Sequence, residues 1–447
     1  VVAEEKLTLY GILVLIIASF GGLLFGYHIA VISGALVFLG PVFQLSPYDE
    51  GIVVSIMLLG GLVGALAAGN LADRLGRKKT LFIMALLLTL GALIIAFSQI
   101  YVQLLVGRIL SGVAIGIVSV VAPLYLAEVA PPHLRGRCVS AFQLFISLGI
   151  LLSFGMAYHF SEDQRWQMLF FIGAFLAFLQ LCGILFIPET PSWVLSHGKN
   201  AQAIRILGRL RSDMQWKKEM KHMHKKPEKK SGWVDFFKPH MPYILIVGFM
   251  LSIFQQITGV NAVIFYLPKI FQSAGISTNT GPFLASLSVG VINCLATLFS
   301  VWVIDKIGRR MLLLIGSFVM ALSLGVLSFG FFEQSSGIDI LALMSLMVFI
   351  ASFSFSLGAT TWVVLAEIFP LKIRSKAMAC AMALNWLANY AISMAFPEII
   401  ATWGEGWSFA IIAMISFTSF LFVYWFISET KGKSLEEIET LVRAGKF

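Results

Sequence analysis

Charge is what this 447-residue sequence has least of: Asp, Glu, Lys and Arg together make up 12% of it, against roughly a quarter in an average soluble chain. That scarcity excludes an ordinary water-soluble fold of this length. Paired cysteines are lacking too. Cys138, Cys182, Cys294 and Cys380 fall in or at the edge of apolar runs with no regular spacing, so they read as small packing residues and support neither a disulfide framework nor a metal site. No phosphate-cradling glycine loop, nucleophile–base pair or cluster of metal ligands occurs, and His222 and His224 are too isolated to hold an ion. An enzyme is therefore not expected, and neither is a cofactor or a metal.

What is present is apolar. Hydrophobic residues form 58% of the chain and the mean hydropathy is +0.89. Runs of about 20 apolar residues, the length that crosses a bilayer as a helix, recur twelve times, from Leu9–Leu39 to Trp407–Ile427. The fold class expected is an all-α membrane protein of twelve transmembrane helices in two six-helix bundles. Glu4 and Glu5 precede the first run and no small-residue cleavage pattern follows it, so it reads as a retained span rather than a signal peptide.

Loop charge orients the chain. Arg74, Arg77, Lys78 and Lys79, then Arg135 and Arg137, the Lys-rich stretch 199–238, then Lys306, Arg309 and Arg310, and finally Lys372, Arg374 and Lys376 all follow even-numbered spans. The alternate loops, "QLSPYDE", "EQSSGID" and "TWGEG", carry almost no basic residue. Positive loops stay inside, so both termini are expected in the cytoplasm. The net charge of +9 belongs to that face and to anionic lipid, with no indication of a nucleic-acid partner.

The chain repeats its own punctuation. "ADRLGRKK" (72–79) is echoed by "IDKIGRRM" (304–311), "AEVAPPHLRGR" (127–137) by "AEIFPLKIRSK" (366–376), and "PETPSW" (188–193) by "SETKGKSL" (428–435). A duplicated six-span unit follows: an N-terminal bundle over 1–191, a basic cytoplasmic helical linker over 192–240, a C-terminal bundle over 241–427, and a cytoplasmic tail over 428–447. Inverted or parallel repeats of this kind place the substrate between the halves near the membrane midplane. The repeated charges, Asp73 with Arg77, Glu128 with Arg135, Asp305 with Arg309 and Glu367 with Arg374, joined by Glu189 and Glu429, read as a cytoplasmic latch between halves. The alternative is orientation by positive charge alone.

Inside the spans the few polar groups stand out. His28 is the only strongly polar side chain between Leu9 and Leu39. An ionisable residue at membrane depth is a functional candidate by default; the alternative is a histidine satisfied by a backbone carbonyl. Neutral amides recur as well: Gln143, Gln255, Gln256, Asn261, Asn293, Asn385 and Asn389, with Trp362 and Trp386 nearby. A sugar hydroxyl is both donor and acceptor, so its site needs amides, which serve both roles, and an aromatic face for the apolar ring surface. Thr258-Gly259 favours a local break in the seventh span that brings Gln255, Gln256 and Asn261 together. The alternative for any one amide is glue between helices.

The combination "DRLGRK" and "DKIGRR", "AExxPxxxR", "PETPSW", "QQITGVN" and "ETKGKSLEEIE" resembles the sugar porter family of the major facilitator superfamily, over about residues 9 to 440. The short loop after the first span and the absence of an N-glycosylation sequon resemble bacterial members, which implies the inner cell membrane. The resemblance implies a monosaccharide transporter working by alternating access, a monomer whose partners are the sugar, the bilayer and, in symporters, protons. It assigns Gln143, Gln255, Gln256, Asn261, Asn293, Trp362 and Asn385 to the sugar, with Phe25 and Trp386 lining the cavity, and gives Tyr266 a place beside the outer gate. A non-transporting sugar receptor is the alternative of another class.

Three departures from the family pattern matter. "SLGATTW" replaces a Gly-Pro stretch before Trp362, Phe265 replaces the first of two gate tyrosines, and His28 stands where proton-coupled members often have aspartate. The resemblance places Arg108 near that position. Burial and a neighbouring Arg⁺ both disfavour imidazolium, so His28 is expected neutral at pH 7, which leans the function toward facilitated transport. The alternative is symport with His28 as the proton carrier.

Overall fold

A computed structural model describes residues 7–131, 134–211, 236, 241–334, 337–370 and 373–431. The described chain is helical, with no β-strand among these residues. In the first half α1 (Leu9–Phe43), α2 (Pro47–Leu75), α3 (Arg77–Ala96), α4 (Tyr101–Val129), α5 (Arg135–His159) and α6 (Trp166–Phe186) follow one another through short turns. Two short helices come next, α7 (Pro191–Ser196) and α8 (Asn200–Leu210). The rest of the linker, with His222 and His224, lies outside the described residues, as does the tail beyond residue 431.

The second half opens with α9 (Met241–Ile257) and α10 (Val260–Ser273), two pieces of one span, then α11 (Gly281–Ile307) and α12 (Arg309–Phe332). Next come α13 (Ile338–Phe353), a π-helical turn (Ser354–Gly358), α14 (Ala359–Ile368) and α15 (Arg374–Phe426). Among the described residues, eleven helical segments are long and apolar enough to cross a membrane. The last of them runs 51 residues, about 75 Å at 1.5 Å per residue, and is interrupted where Gly404 leaves helical geometry. Two crossings fit in it, consistent with twelve in all.

These helices form because every backbone polar group in a bilayer must be satisfied within its own segment. Their outward faces are apolar as well: Phe175, Phe178, Leu179 and Phe186 of α6, and Leu295, Phe299 and Trp302 of α11, are exposed large hydrophobics. By contrast α8 is amphipathic, burying Ala203, Ile206, Leu207 and Leu210 while Arg205 and Arg209 face outward.

The molecule divides into two compact units that do not coincide with the sequence halves. One gathers Val1–Ile29, Leu59–Ile150 and Gln167–Lys229; in it α3 packs along α4, burying Met84, Leu88, Ile115 and Val118. The other gathers Ala30–Leu58, Leu151–Trp166 and Lys230–Phe447, with α12 and α9 each packed on α15. Thus α1, α2 and α5 each contribute one end to the unit that holds the whole second half.

Candidate functional site

The seventh span breaks where the sequence puts Thr258-Gly259. Gly259 sits at φ 80°, ψ 11°, a left-handed conformation open mainly to glycine. The break turns the start of α10 back toward α9 and lets amides from both pieces meet. Asn261 Nδ2 donates to Gln256 Oε1 at 2.9 Å, and Gln256 Nε2 donates to Asn385 Oδ1 of α15 at 3.0 Å. Asn385 Nδ2 in turn donates to Gln255 Oε1 at 2.6 Å and to the Ser252 carbonyl at 3.0 Å. Gln255, Gln256 and Asn385 are buried, while Asn261 is half-buried.

The cluster extends to the tenth span through a feature the sequence reading missed. Ser354 Oγ, on the π-helical turn, donates to Asn293 Oδ1 of α11 at 2.7 Å, and Gln255 Nε2 reaches the Leu357 carbonyl at 3.4 Å. π-Turns inside helices recur at functional sites. The available signal was "SFSFSLG": Ser356 Oγ donates to the Ser352 carbonyl, and the single proton of Ser354 Oγ is shared between Asn293 Oδ1 and the Ile350 carbonyl, each 2.7 Å away. Trp386 is buried beside Asn385 in α15, and Trp362 on α14 is half-buried. Tyr266 Oη donates to the Ser393 carbonyl at 3.2 Å and its ring lies 5.6 Å from that of Phe396, tying α10 to α15. Thus Gln255, Gln256, Asn261, Asn293 and Asn385 converge in one compact unit. Phe25 and Gln143, both half-buried, belong to the other.

His28 and Arg108 are fully enclosed, at 2% and 1% exposure. His28 Nε2 lies 3.3 Å from the Gly173 carbonyl of α6, and the adjacent Tyr27 hydroxyl donates to the Leu169 carbonyl, one turn away, at 2.7 Å. The histidine is satisfied by backbone, and the Arg108 guanidinium acts on it electrostatically.

The repeated charges form two matched clusters, in which Glu128 and Glu367 take partners other than those expected. Arg77 donates to Glu128 Oε1 from Nε at 3.2 Å and from Nη2 at 3.0 Å, and pairs with Asp73 at 3.1 Å. Arg309 pairs with Glu367 at 3.3 Å. Glu128 was expected to meet Arg135, and Glu367 Arg374. Instead α3 runs antiparallel to α4, so its first residue lies opposite the end of α4. Arg374 Nε turns to the Phe369 carbonyl at 3.0 Å. The Asp73–Arg77 pair forms as expected, while the side chain of Asp305 lies outside the described residues. Each of these ion pairs joins elements of one half and braces its bundle. Behind them Glu189 accepts the Arg77 and Lys78 backbone N–H groups at 2.9 and 3.2 Å, and Glu429 those of Arg309 and Arg310 at 2.9 and 3.1 Å. Each carboxylate thereby caps a helix N-terminus, a favourable place for negative charge.

A helical chain with eleven apolar segments among its described residues, such paired caps and an amide cluster at a broken span has the make-up of a membrane transporter. The family model "Sugar (and other) transporter" matches residues 14–442, and the chain belongs to that family. It is 38% identical over 441 residues to the arabinose-proton symporter of Bacillus subtilis, covering 96% of this chain and 94% of that one. It is 37% identical to the glucose transporter GlcP of Staphylococcus epidermidis, covering 96% and 97%. The inward-open structure of the xylose transporter XylE from E. coli superimposes with a TM-score of 0.84 at 32% identity, over 96% of this chain and 98% of that one. XylE is a sugar porter of the major facilitator superfamily, and so is this chain, a multi-pass membrane transporter and not an enzyme.

Proposed function

We propose that the chain moves a monosaccharide across the inner membrane by alternating access, as a monomer with both termini in the cytoplasm. The observation that carries this is the continuous amide relay Asn261–Gln256–Asn385–Gln255 at the break of the seventh span. Gln256 and Asn385 each donate and accept within it, Asn261 donates and Gln255 accepts, and a sugar's hydroxyls can replace those neighbours in kind. Asn293, Trp362 and Trp386 extend the surface, and Gln143 and Phe25 are likewise assigned to sugar binding. Truncating Gln256 to Ala leaves sugar hydroxyls and protein partners unmatched, at about 1–3 kcal/mol. A loss of sugar affinity of about 5- to 150-fold is expected, read by competition binding across a panel of hexoses and pentoses. Unchanged affinity in both Gln256→Ala and Asn261→Ala would remove the seventh span from the site.

Transport is facilitated diffusion in this reading. Nε2–H of His28 is committed to the Gly173 carbonyl, and an imidazolium there would be desolvated beside the Arg108 cation. A second reading, proton–sugar symport with His28 as carrier, is favoured by the arabinose-proton symporter among the relatives. Proteoliposomes with an imposed proton gradient separate the two. Equilibration without accumulation supports facilitation. Accumulation that vanishes in His28→Ala, while sugar–sugar exchange persists, establishes symport.

A further inference from the structure

We propose that Glu50 and Lys269 form an ion-paired latch that holds the outer ends of the two halves closed, and that sugar entry from outside requires it to open. The proposal rests on the alternating-access reading and the orientation given above. Glu50 stands in the first turn of α2, in the first half; Lys269 lies in α10, beyond the break of the seventh span, in the second. Lys269 Nζ donates to Glu50 Oε1, with only 31% and 13% of the two side chains exposed. Charges so enclosed are tolerated when paired, and removing one partner leaves the other partly buried without compensation, which disfavours the closed arrangement.

The sequence sets each charge apart. Asp49 and Glu50 are the only acids between residues 7 and 72, and Lys269 is the only Lys or Arg between 241 and 304. Asp49 is already used, accepting the Ser46 hydroxyl at 2.6 Å and the Ser46 N–H at 3.1 Å. Glu50 is left to reach across. A third helix makes room: a Cβ on Gly40 of α1 would come 3.3 Å from Glu50 Oε1 and 4.0 Å from Lys269 Nζ.

Around the pair, backbones are in close contact. A Cβ on Gly51 would lie 2.5 Å from the Met394 carbonyl of α15, and one turn on, the fully buried Ser55 Oγ meets Met394 Sδ at 3.4 Å. The neighbouring Ser393 carbonyl receives the Tyr266 hydroxyl. On the flank, Phe38 of α1 stacks on Phe283 of α11, with centroids 5.6 Å apart and planes within 5°. Glu50, Gly51 and Ser55 thus engage both α10 and α15, the two elements that supply the amide relay. Opening the latch frees the elements that carry the proposed sugar site. Glu50 and Lys269 act as positioning residues and touch no sugar.

The test uses Ser55→Cys, the other four cysteines replaced by Ala, in proteoliposomes probed with a membrane-impermeant maleimide. The thiol introduced at position 55 is labelled only when α2 parts from α15. Glu50→Gln or Lys269→Gln should each raise the labelling rate on the order of tenfold, as loss of a partly buried pair predicts. The doubly neutral variant should label as fast as the singles. The charge swap, Glu50→Lys with Lys269→Glu, should return labelling toward the parental rate, which a merely misfolded protein would not do. Parental labelling in the singles or in the doubly neutral variant overturns the proposal, as does a swap that stays fast. Labelling needs no sugar. If it follows the pair while no monosaccharide is taken up, the latch stands and the substrate reading fails; uptake with indifferent labelling gives the reverse.

Discussion

The two charge clusters built on the repeated sequence motif are not equivalent in the folded chain. Both begin at a glycine in the same unusual conformation, Gly76 at φ 97° and Gly308 at φ 99°. A Cβ at either would lie 2.2 or 2.6 Å from a capping carboxylate oxygen, of Glu189 or Glu429 respectively. From there they diverge. Burial pushes the Glu189 carboxyl above its ordinary value despite the N–H groups of Thr190, Lys78 and Arg77. Glu429 is also penalised by burial, but the N–H groups of Lys431, Arg309, Arg310 and Thr430 outweigh that and hold it below.

One residue explains part of this. Lys431 gives its N–H to Glu429 Oε1 at 2.9 Å. At the matching place the first half has Pro191, which has no N–H and starts α7 instead. The threonines differ too. Thr430 Oγ1 donates to Glu367 Oε2 at 2.5 Å, whereas Thr190 Oγ1 and Glu128 Oε2 are buried without a hydrogen-bond partner among the described residues. Identical letters therefore carry different energies, because each carboxylate is stabilised by whichever donors the local chain path delivers.

The largest expected effect tests the ion pairs. Arg77→Ala strands Glu128, which is only 14% exposed and takes two guanidinium N–H groups. A loss of about 3 kcal/mol is expected, as for breaking a largely buried pair. Arg309→Ala, whose pair with Glu367 is longer and wetter, should cost less. Thermal unfolding in detergent ranks them, and an equal or reversed order would erase the distinction.

The threonines come next and differ in sign. Thr430→Val removes a charge-assisted bond and should destabilise by about 1–2 kcal/mol. Thr190→Val removes an unmatched hydroxyl and should be neutral or slightly stabilising. Matching losses in both would mean that Thr190 makes a bond like that of Thr430.

The smallest effect is the acid response. Glu429 has a depressed folded value, so its stabilisation is present above the unfolded carboxylate value of about 4.3 and is lost as pH falls through the lower folded value. Glu189 has a raised value, so its unfavourable charge is relieved as pH falls through that value toward the unfolded one. Glu429→Gln should therefore flatten the acid loss of stability measured from pH 6 downward, and Glu189→Gln should steepen it. Parallel curves would show the two caps to be alike.

The sequence by itself determined the helical membrane architecture, the duplication, the break at Gly259 and the identity of the amides. These depend on local facts: run length against bilayer thickness, loop charge, a glycine able to take positive φ, and the scarcity of polar groups in apolar spans. The tertiary structure alone decided which partner each polar group takes. Arg77 reaches Glu128 and not Arg135 because α3 lies antiparallel along α4. Asn293 is fixed by Ser354 because a π-turn rotates that serine inward. Glu50 finds Lys269, more than two hundred residues away, because α1, α2 and α10 converge at one end. Hydrogen bonds and ion pairs act over a few ångströms, and no spacing along the chain specifies distances of that size between separate helices.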